Sequence, residues 1–330
     1  MTTSRSLRLF LLLTTLLVPG CIGADDDDSA DDDDSADDDD ATGDDDDTTA
    51  APQAVGITVT CNTTEMSTRQ WLTVTVTAQF DDASQQIVST EADITSTDED
   101  VIRFYLFNVG QPLSAGTTDI GATWQGLEAS PVTVAVTLAA AAPGDLLFNE
   151  LLIDGTVAGD PNGDGSIDGV QDEFVEIVNV GFSSVDLGGV TLVDADFPAA
   201  PRHTFAAGTL LRPREVIVVF GGGDTSGLSL SNAAFTTAVN DDFGTGLDLG
   251  DAGDTLSLLD VEGALIDSVS WGDAKGATLD SPTAESLQRD PDVTGSAWVG
   301  HSSATAAVGT YSAGTRADGL LFGGPDGLFE

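Results

Sequence analysis

The sequence predicts an all-β protein, two β-sandwich domains carried behind a disordered acidic linker, and three observations predict it. Short apolar runs rich in Val and Ile end at turn residues. EFVEIVNV ends at Gly181, SVDLGGVTLVDA breaks at Phe197-Pro198, and REVIVVF stops at Gly221–Gly223. Upstream, WLTVTVTAQF alternates strictly, and its apolar set Leu72, Val74, Val76, Ala78 and Phe80 marks the core face. Finally, of the 56 acids behind a formal net charge of -46, 16 fall in four blocks of four Asp that begin at Asp25, Asp31, Asp37 and Asp44, while the chain as a whole is 41% hydrophobic. The disorder signal therefore belongs to one segment and the packing signal to the rest.

Taken in order, residues 1–20 read as a secretory signal. Arg5 and Arg8 give the positive start, and Leu9–Val18 is an apolar core of roughly 15 Å as a helix, about half a bilayer, so too short to span one. It runs into Val18-Pro19-Gly20-Cys21, which resembles a bacterial lipobox. That resemblance implies cleavage before Cys21, a lipid on its thiol, and an exported protein anchored to the cell envelope. By the same resemblance Ile22 points to the outer membrane or cell surface.

Residues 21–52 are the tether. A run of Asp repeated with period six can bury nothing and repels itself, so it is expected to stay extended, with a reach on the order of 100 Å. A polyanion repels nucleic acid, and with only ten Lys and Arg in the chain no basic footprint is available; nucleic-acid binding is excluded as an expectation.

Residues 53–142 predict a first domain. GITVTCN, WLTVTVTAQF, VIRFYLFNV and VTVAVTL are its strands, and DDASQQ, TSTDED and SAGTTD its turns. This layout resembles the bacterial immunoglobulin-like group 2 module. Cys61 lies within an alternating strand and is expected to pack as a small hydrophobe. The Ala-rich Leu138–Ala142 reads as a hinge before Pro143-Gly144.

Residues 143–322 predict the second domain, and 323–330 form a tail with no pattern that calls for structure. LLFNELLID (Leu146–Asp154), DEFVEIVNVGFSSVDLGGVTLVD (Asp172–Asp194) and RHTFAAGTLLRPREVIVVFGGG (Arg202–Gly223) are followed by GDAGDTLSLLDVEGALIDSVSWG, SLQRDPDVTG and SAGTRADG. These pieces, in this order, resemble the lamin-tail domain of bacterial secreted proteins. The resemblance implies an immunoglobulin-like β-sandwich. It implies no particular activity, because the family has no single one.

One local motif carries a chemical mechanism. In DPNGDGSIDGVQD, oxygen ligands alternate at Asp160, Asn162, Asp164, Ser166 (through its carbonyl) and Asp168, with Gly165 at the sharp turn, as a hard cation such as Ca²⁺ requires. The twelfth position holds Gln171 where a bidentate Glu belongs, so Asp172 or Glu173 can substitute only after a local shift; the alternative is a Gly/Asp-rich turn that holds no ion. Glu150, Glu173 and Glu176 stand at lamin-tail motif positions. Glu176 shares a strand face with Phe174 and Val178, which predicts a buried carboxylate needing a partner, with Arg202 and Arg289 as candidates. His203 and His301 are the only histidines and are expected to be structural. The sequence holds no zinc set, no G-x-S-x-G and no phosphate loop.

The expectation is therefore a non-enzymatic, membrane-tethered surface module, Ca²⁺-stabilised, with a protein or glycan ligand met by the loops Asp160–Asp172 and Gly221–Gly246. The alternative is a hydrolase built on the carboxylates of the second domain.

Overall fold

A computed structural model describes residues 51–323 apart from 158, 197, 199, 239–245, 278 and 281–283. The signal segment, Cys21, the Asp-rich tether and the tail beyond residue 323 lie outside the described residues.

The first sandwich consists of β1 (Ala54–Cys61), β2 (Glu65–Ser67), β3 (Leu72–Phe80), β4 (Gln85–Ile87), β5 (Asp93–Ser96), β6 (Ile102–Leu106), β7 (Val109–Pro112), β8 (Gly116–Trp124), β9 (Leu127–Glu128) and β10 (Val132–Thr137). One sheet runs β1-β3-β7-β6 with β4 on β3; the other runs β2-β10-β8-β5 with β9 on β8. The face foreseen for β3 is the core face: Leu72, Val74, Val76 and Ala78 have no exposed surface. Burying each of the larger ones is worth about 1.5–3 kcal/mol. Cys61 packs at the edge of this core, and burial raises its thiol pKa.

Two expectations for this sandwich need correcting. VIRFYLFNV is not one strand but the hairpin β6–β7, turned at Phe107-Asn108 with Phe107 at φ 41°. SAGTTD is mostly strand, since β8 begins at Gly116.

The second sandwich comprises β11 (Ala139–Ala140), β12 (Leu146–Leu152), β13 (Phe174–Asn179), β14 (Val185–Asp186), β15 (Thr191–Asp194), β16 (His203–Thr204), β17 (Leu210–Leu211), β18 (Val216–Phe220), β19 (Ala233–Thr237), β20 (Gly253–Leu259), β21 (Leu265–Gly272), β22 (Leu287–Asp290) and β23 (Ala297–Gly300). A six-stranded sheet, β19-β18-β13-β12-β22-β23, faces the four-stranded sheet β16-β15-β20-β21 across the main core. A short third sheet, β11-β14-β17, closes one end. The pairing is not purely antiparallel as expected: among the described strands β2–β10, β11–β14 and β18–β19 are parallel.

The six-stranded sheet is covered on its second face too. Phe174, Val218 and Phe220 pack there under Tyr311 and Ala313, and Val178 and Val216 pack under Phe322. Burial on both faces explains why FVEIVN and VIVVF read as unbroken apolar runs: all residues of β13 and β18 are buried. The C-terminal segment is thus a lid on the sheet, and it brings polar groups onto an otherwise apolar face.

The expected hinge is bonded into the structure. Ala139 and Ala140 form β11 against β14, and the Thr68 hydroxyl accepts from Ala139 N (3.0 Å) and donates to the Ser184 carbonyl (2.8 Å). Arg69 of the first sandwich pairs with Asp145 of the second at 2.9 and 2.5 Å.

Candidate functional site

The acidic loop lies between β12 and β13 and rests on the glycines after β18. A Cβ on Gly221 would collide with the Val170 carbonyl oxygen, and one on Gly223 would meet the Asn162 and Asp164 side chains. Only glycine lets the two predicted contact loops approach this closely. Within the loop, Asp160 Oδ1 accepts from Gly163 N (2.9 Å) and Asp164 N (3.1 Å), while Oδ2 accepts from Gly165 N (2.9 Å). Asn162 Oδ1 accepts from Asp164 N (3.0 Å), and Asp164 Oδ1 from Ser166 N (2.8 Å).

Asp172, next to Gln171, turns into the loop. It is fully buried; Oδ2 accepts from Asp168 N (2.8 Å), and Oδ1 has no hydrogen-bond partner. Burial raises its pKa, and the charges of Asp160 and Asp164 raise it further. A buried carboxylate oxygen without a partner, beside two further carboxylates, leaves uncompensated negative charge in the loop. The loop residues are of the donor types Ca²⁺ takes, but the carboxylate oxygens of Asp160, Asp164 and Asp172 do not gather within 4.8 Å of one another. Ser166 and Asp168 stand farther along the turn, where Asp168 Oδ1 caps Val170 N and Gln171 N at 3.0 Å each.

Of the two residues that sequence offered for the last ligand, Glu173 points elsewhere. It is buried and accepts from Leu249 N (3.2 Å). Its pKa is pushed up to about 9, mainly by burial and further by Asp248, Asp251 and Asp154.

Glu150 and Glu176 face each other across β12 and β13, both fully buried. Glu150 Oε1 accepts from the Ser286 hydroxyl (2.5 Å) and Ser312 N (2.9 Å), and Oε2 from the Ser312 hydroxyl (2.7 Å). Glu176 accepts from the Asn149 amide (2.9 Å) and Gly314 N (2.8 Å). Neither predicted arginine partners Glu176. Arg202 pairs with Asp194 and Asp248 at 2.8 Å each, and Arg289 with Asp267 at 3.5 Å. The neutral donors were invisible to a charge-pairing argument, because one is a backbone N–H in the C-terminal segment.

Asp292 belongs to the same network, accepting from Gln288 (2.7 Å), Asn149 (3.1 Å) and Ala317 N (3.1 Å). Without a cation among the donors, burial prevails: the Glu150 pKa is pushed up to about 7, and that of Glu176 lies well above its ordinary value through burial and the Glu150 charge.

A third acidic group was not foreseen. Among the described residues, Asp194, Asp196 and Asp254 form the one trio of carboxylates whose oxygens lie within 4.8 Å of one another. Such a trio is a donor set a hard cation can use. Here Arg202, itself buried, already neutralises Asp194, and Asp254 is raised to about 6 by burial and by Asp194. The sequence signal is D-x-D at the end of β15; its third member, about sixty residues on, carries none.

Both histidines are buried, as expected. His203 packs edge-on to Phe205 with ring centroids 4.5 Å apart, and burial lowers its pKa to about 4. Burial likewise lowers that of His301.

Residues 139–273 match the Lamin Tail Domain family, so the second sandwich carries a lamin tail domain, as its motifs implied. No curated protein matches the chain at a significant level. Among solved structures, a DUF4876 family protein from Bacteroides thetaiotaomicron is similar at 9% identity, over 67% of this chain and 74% of that one, with a TM-score of 0.30. Domains 5–6 of the S-layer protein SbsC are similar at 13% identity, over 66% and 96% of the two chains, with a TM-score of 0.21. The Yersinia pseudotuberculosis adhesin InvE follows at 12% identity, over 71% and 67%, with a TM-score of 0.24. Superpositions this slight carry no functional inference.

Proposed function

We propose that this protein is a non-catalytic binding or structural module of the cell envelope, held by a lipid on Cys21 and lifted from the membrane by the Asp-rich tether. The observation that carries the non-catalytic reading is the burial of Glu150 and Glu176, which have no exposed surface. These are the carboxylates on which a hydrolase would have to rest. Each is instead consumed in hydrogen bonds that fasten the C-terminal segment to the six-stranded sheet. A general acid must reach the proton it transfers, and these cannot reach a substrate without unseating Ser312–Ala317.

The anchor reading rests on the charged start, the short apolar core and Cys21, and the ligand on loops rather than strands. Ca²⁺ belongs to the reading through Asp160, Asn162, Asp164 and Asp172. By orienting the loop against Gly221–Gly223 it would set the shape of the surface offered to a protein or glycan partner.

Envelope fractionation tests the anchor: wild-type protein is expected with membranes, and Cys21→Ser in the soluble fraction or as an unprocessed precursor. Wild-type protein with an unmodified Cys21 would overturn it. The non-catalytic reading is tested by screening esterase, phosphatase, nuclease, glycosidase and protease substrates. Turnover abolished by Glu150→Gln or Glu176→Gln would transfer the assignment to the hydrolase.

A further inference from the structure

Between the two sandwiches lies a cleft of about 790 Å³, on the outer face of the β3–β7–β6 sheet and opposite the Gly181–Ser184 and Arg212–Arg214 turns. We propose that it is a binding site for a small amphipathic organic anion, one with an apolar or aromatic body and a carboxylate, sulfonate or phosphate group. Its size falls in the range of small-molecule sites, and domain junctions are where such sites tend to form.

Two features of the lining set the ligand class. Trp71, Tyr105 and Phe182, with 54%, 58% and 75% of their surface exposed, converge on this one concavity. Single exposed aromatics need no explanation, but three gathered around a cleft form an apolar patch awaiting cover. The second feature is charge. The chain carries only ten Lys and Arg against a formal net charge of -46, yet Arg103, Arg212 and Arg214 all line the cleft, with Asp100 the one carboxylate among its lining residues. Concentrating scarce cations in an apolar cleft of a polyanion selects an anion, and the surrounding negative field discourages an extended polyanion. A compact ligand satisfies both.

Arg103 and Arg212 are placed to exchange partners. Arg103 reaches Asp100 at 3.4 Å and Glu99 at 3.8 Å, and Arg212 reaches Glu215 at 3.2 Å, pairs made at the surface and individually weak. A ligand anion desolvated against the aromatics would displace them and gain the charge-assisted bond. The walls are preset: the Gln111 amide donates to the Phe182 carbonyl (2.5 Å), the Ser184 hydroxyl to the Leu113 carbonyl, and Thr68 to Ser184. Ligand entry therefore need not order the two walls.

The cleft is separate from the 160–172 loop, so its failure would leave the binding-module reading standing. The test is titration of the full chain with the fluorescent anion anilinonaphthalenesulfonate, in Ca²⁺ and in chelator. Saturable one-to-one binding is expected, displaced by dodecanoate but not by dodecyltrimethylammonium. Arg103→Gln with Arg212→Gln, and separately Phe182→Ser with Trp71→Ser, should each weaken binding by about tenfold or more. All four positions are at the surface, and unchanged melting would verify that the variants fold. Binding that the variants leave intact, equal displacement by the cationic amphiphile, or capture on phosphatidylglycerol vesicles without binding of the soluble anion would overturn the proposal.

Discussion

Replacing Glu150 with Gln is expected to stabilise the protein at pH 8 and leave it nearly unchanged at pH 5. The carboxylate is fully buried, and burial is the largest influence on a pKa raised from 4.5 to about 7. A raised folded-state pKa means that the fold binds the proton more tightly than the unfolded chain. Its stabilising effect is complete below pH 4.5 and is lost as pH climbs through 7. At about 1.4 kcal/mol per tenfold difference in proton affinity, the change between those values amounts to about 3 kcal/mol. Gln removes the titration and keeps the geometry. Its Oε1 can still accept from Ser286 and Ser312 N, and its amide can donate to the Ser312 hydroxyl, which rotates to accept. The variant also relieves Glu176 of the charge that helps raise its pKa. Urea unfolding followed by tryptophan fluorescence at pH 5, 6, 7 and 8 measures this. Wild-type stability should decline across the series, and the variant's should decline less, by about 3 kcal/mol over the window. Parallel profiles, or a variant weaker than wild type at pH 8, would refute the account of the network.

Other changes follow from the same geometry. If Ca²⁺ occupies the loop, a hundredfold excess over Kd stabilises the fold by about 2.7 kcal/mol, so melting should rise in Ca²⁺ and fall in chelator. Asp172→Asn, or Asp160→Ala with Asp164→Ala, should abolish that response, and isothermal titration should show weaker uptake as pH falls and Asp172 is protonated. Gly221→Ala forces a methyl onto the Val170 carbonyl and should cost about 1–3 kcal/mol in urea melts while disturbing the same loop. Arg202→Met leaves Asp194 buried without its cation and should cost about 3–5 kcal/mol; adding Asp194→Leu should restore part of that loss.

The frame was legible because strand signals are local. Alternation fixed the core face of β3, and Gly marked the ends of β13 and β18; the run SVDLGGVTLVDA, expected as one strand, is instead split at Leu187–Val190 into β14 and β15 of two different sheets. The β6–β7 hairpin was missed because its turn, Phe107-Asn108, contains neither Gly nor Pro, and the apolar residues continue through it. The parallel β18–β19 pair gave no signal either, since side-chain period does not report strand direction. At the acidic loop, spacing marked residues of ligand type, but the fold spends Asp160 and Asp164 on backbone N–H groups and does not gather the loop carboxylates. Only the fold separates Asp172 from Glu173, turning one side chain into the loop and the other towards Leu249.

The pieces that resemble a lamin tail are scattered from Leu146 to Gly319, the last two beyond the matched residues 139–273, and the fold joins four of the six in one place. Asn149 and Glu150 come from LLFNELLID, Glu176 from DEFVEIVNV, Ser286, Gln288 and Asp292 from SLQRDPDVTG, and Ser312 and Gly314 from SAGTRADG. The motif is therefore a record of closure: it fastens the last segment over a sheet already apolar on both faces. That closure is costly at neutral pH, because Glu150 and Glu176 resist ionisation there. An apolar substitute would avoid the cost, but it would offer no donor-specific registry to a C-terminal segment that contains no described strand. Polar groups that must each find one partner admit one seating of that segment, whereas apolar contacts admit several. A motif spent on seating the lid is not free to meet a ligand, which is why the proposed binding surfaces are sought away from it, at the acidic loop and in the cleft between the sandwiches.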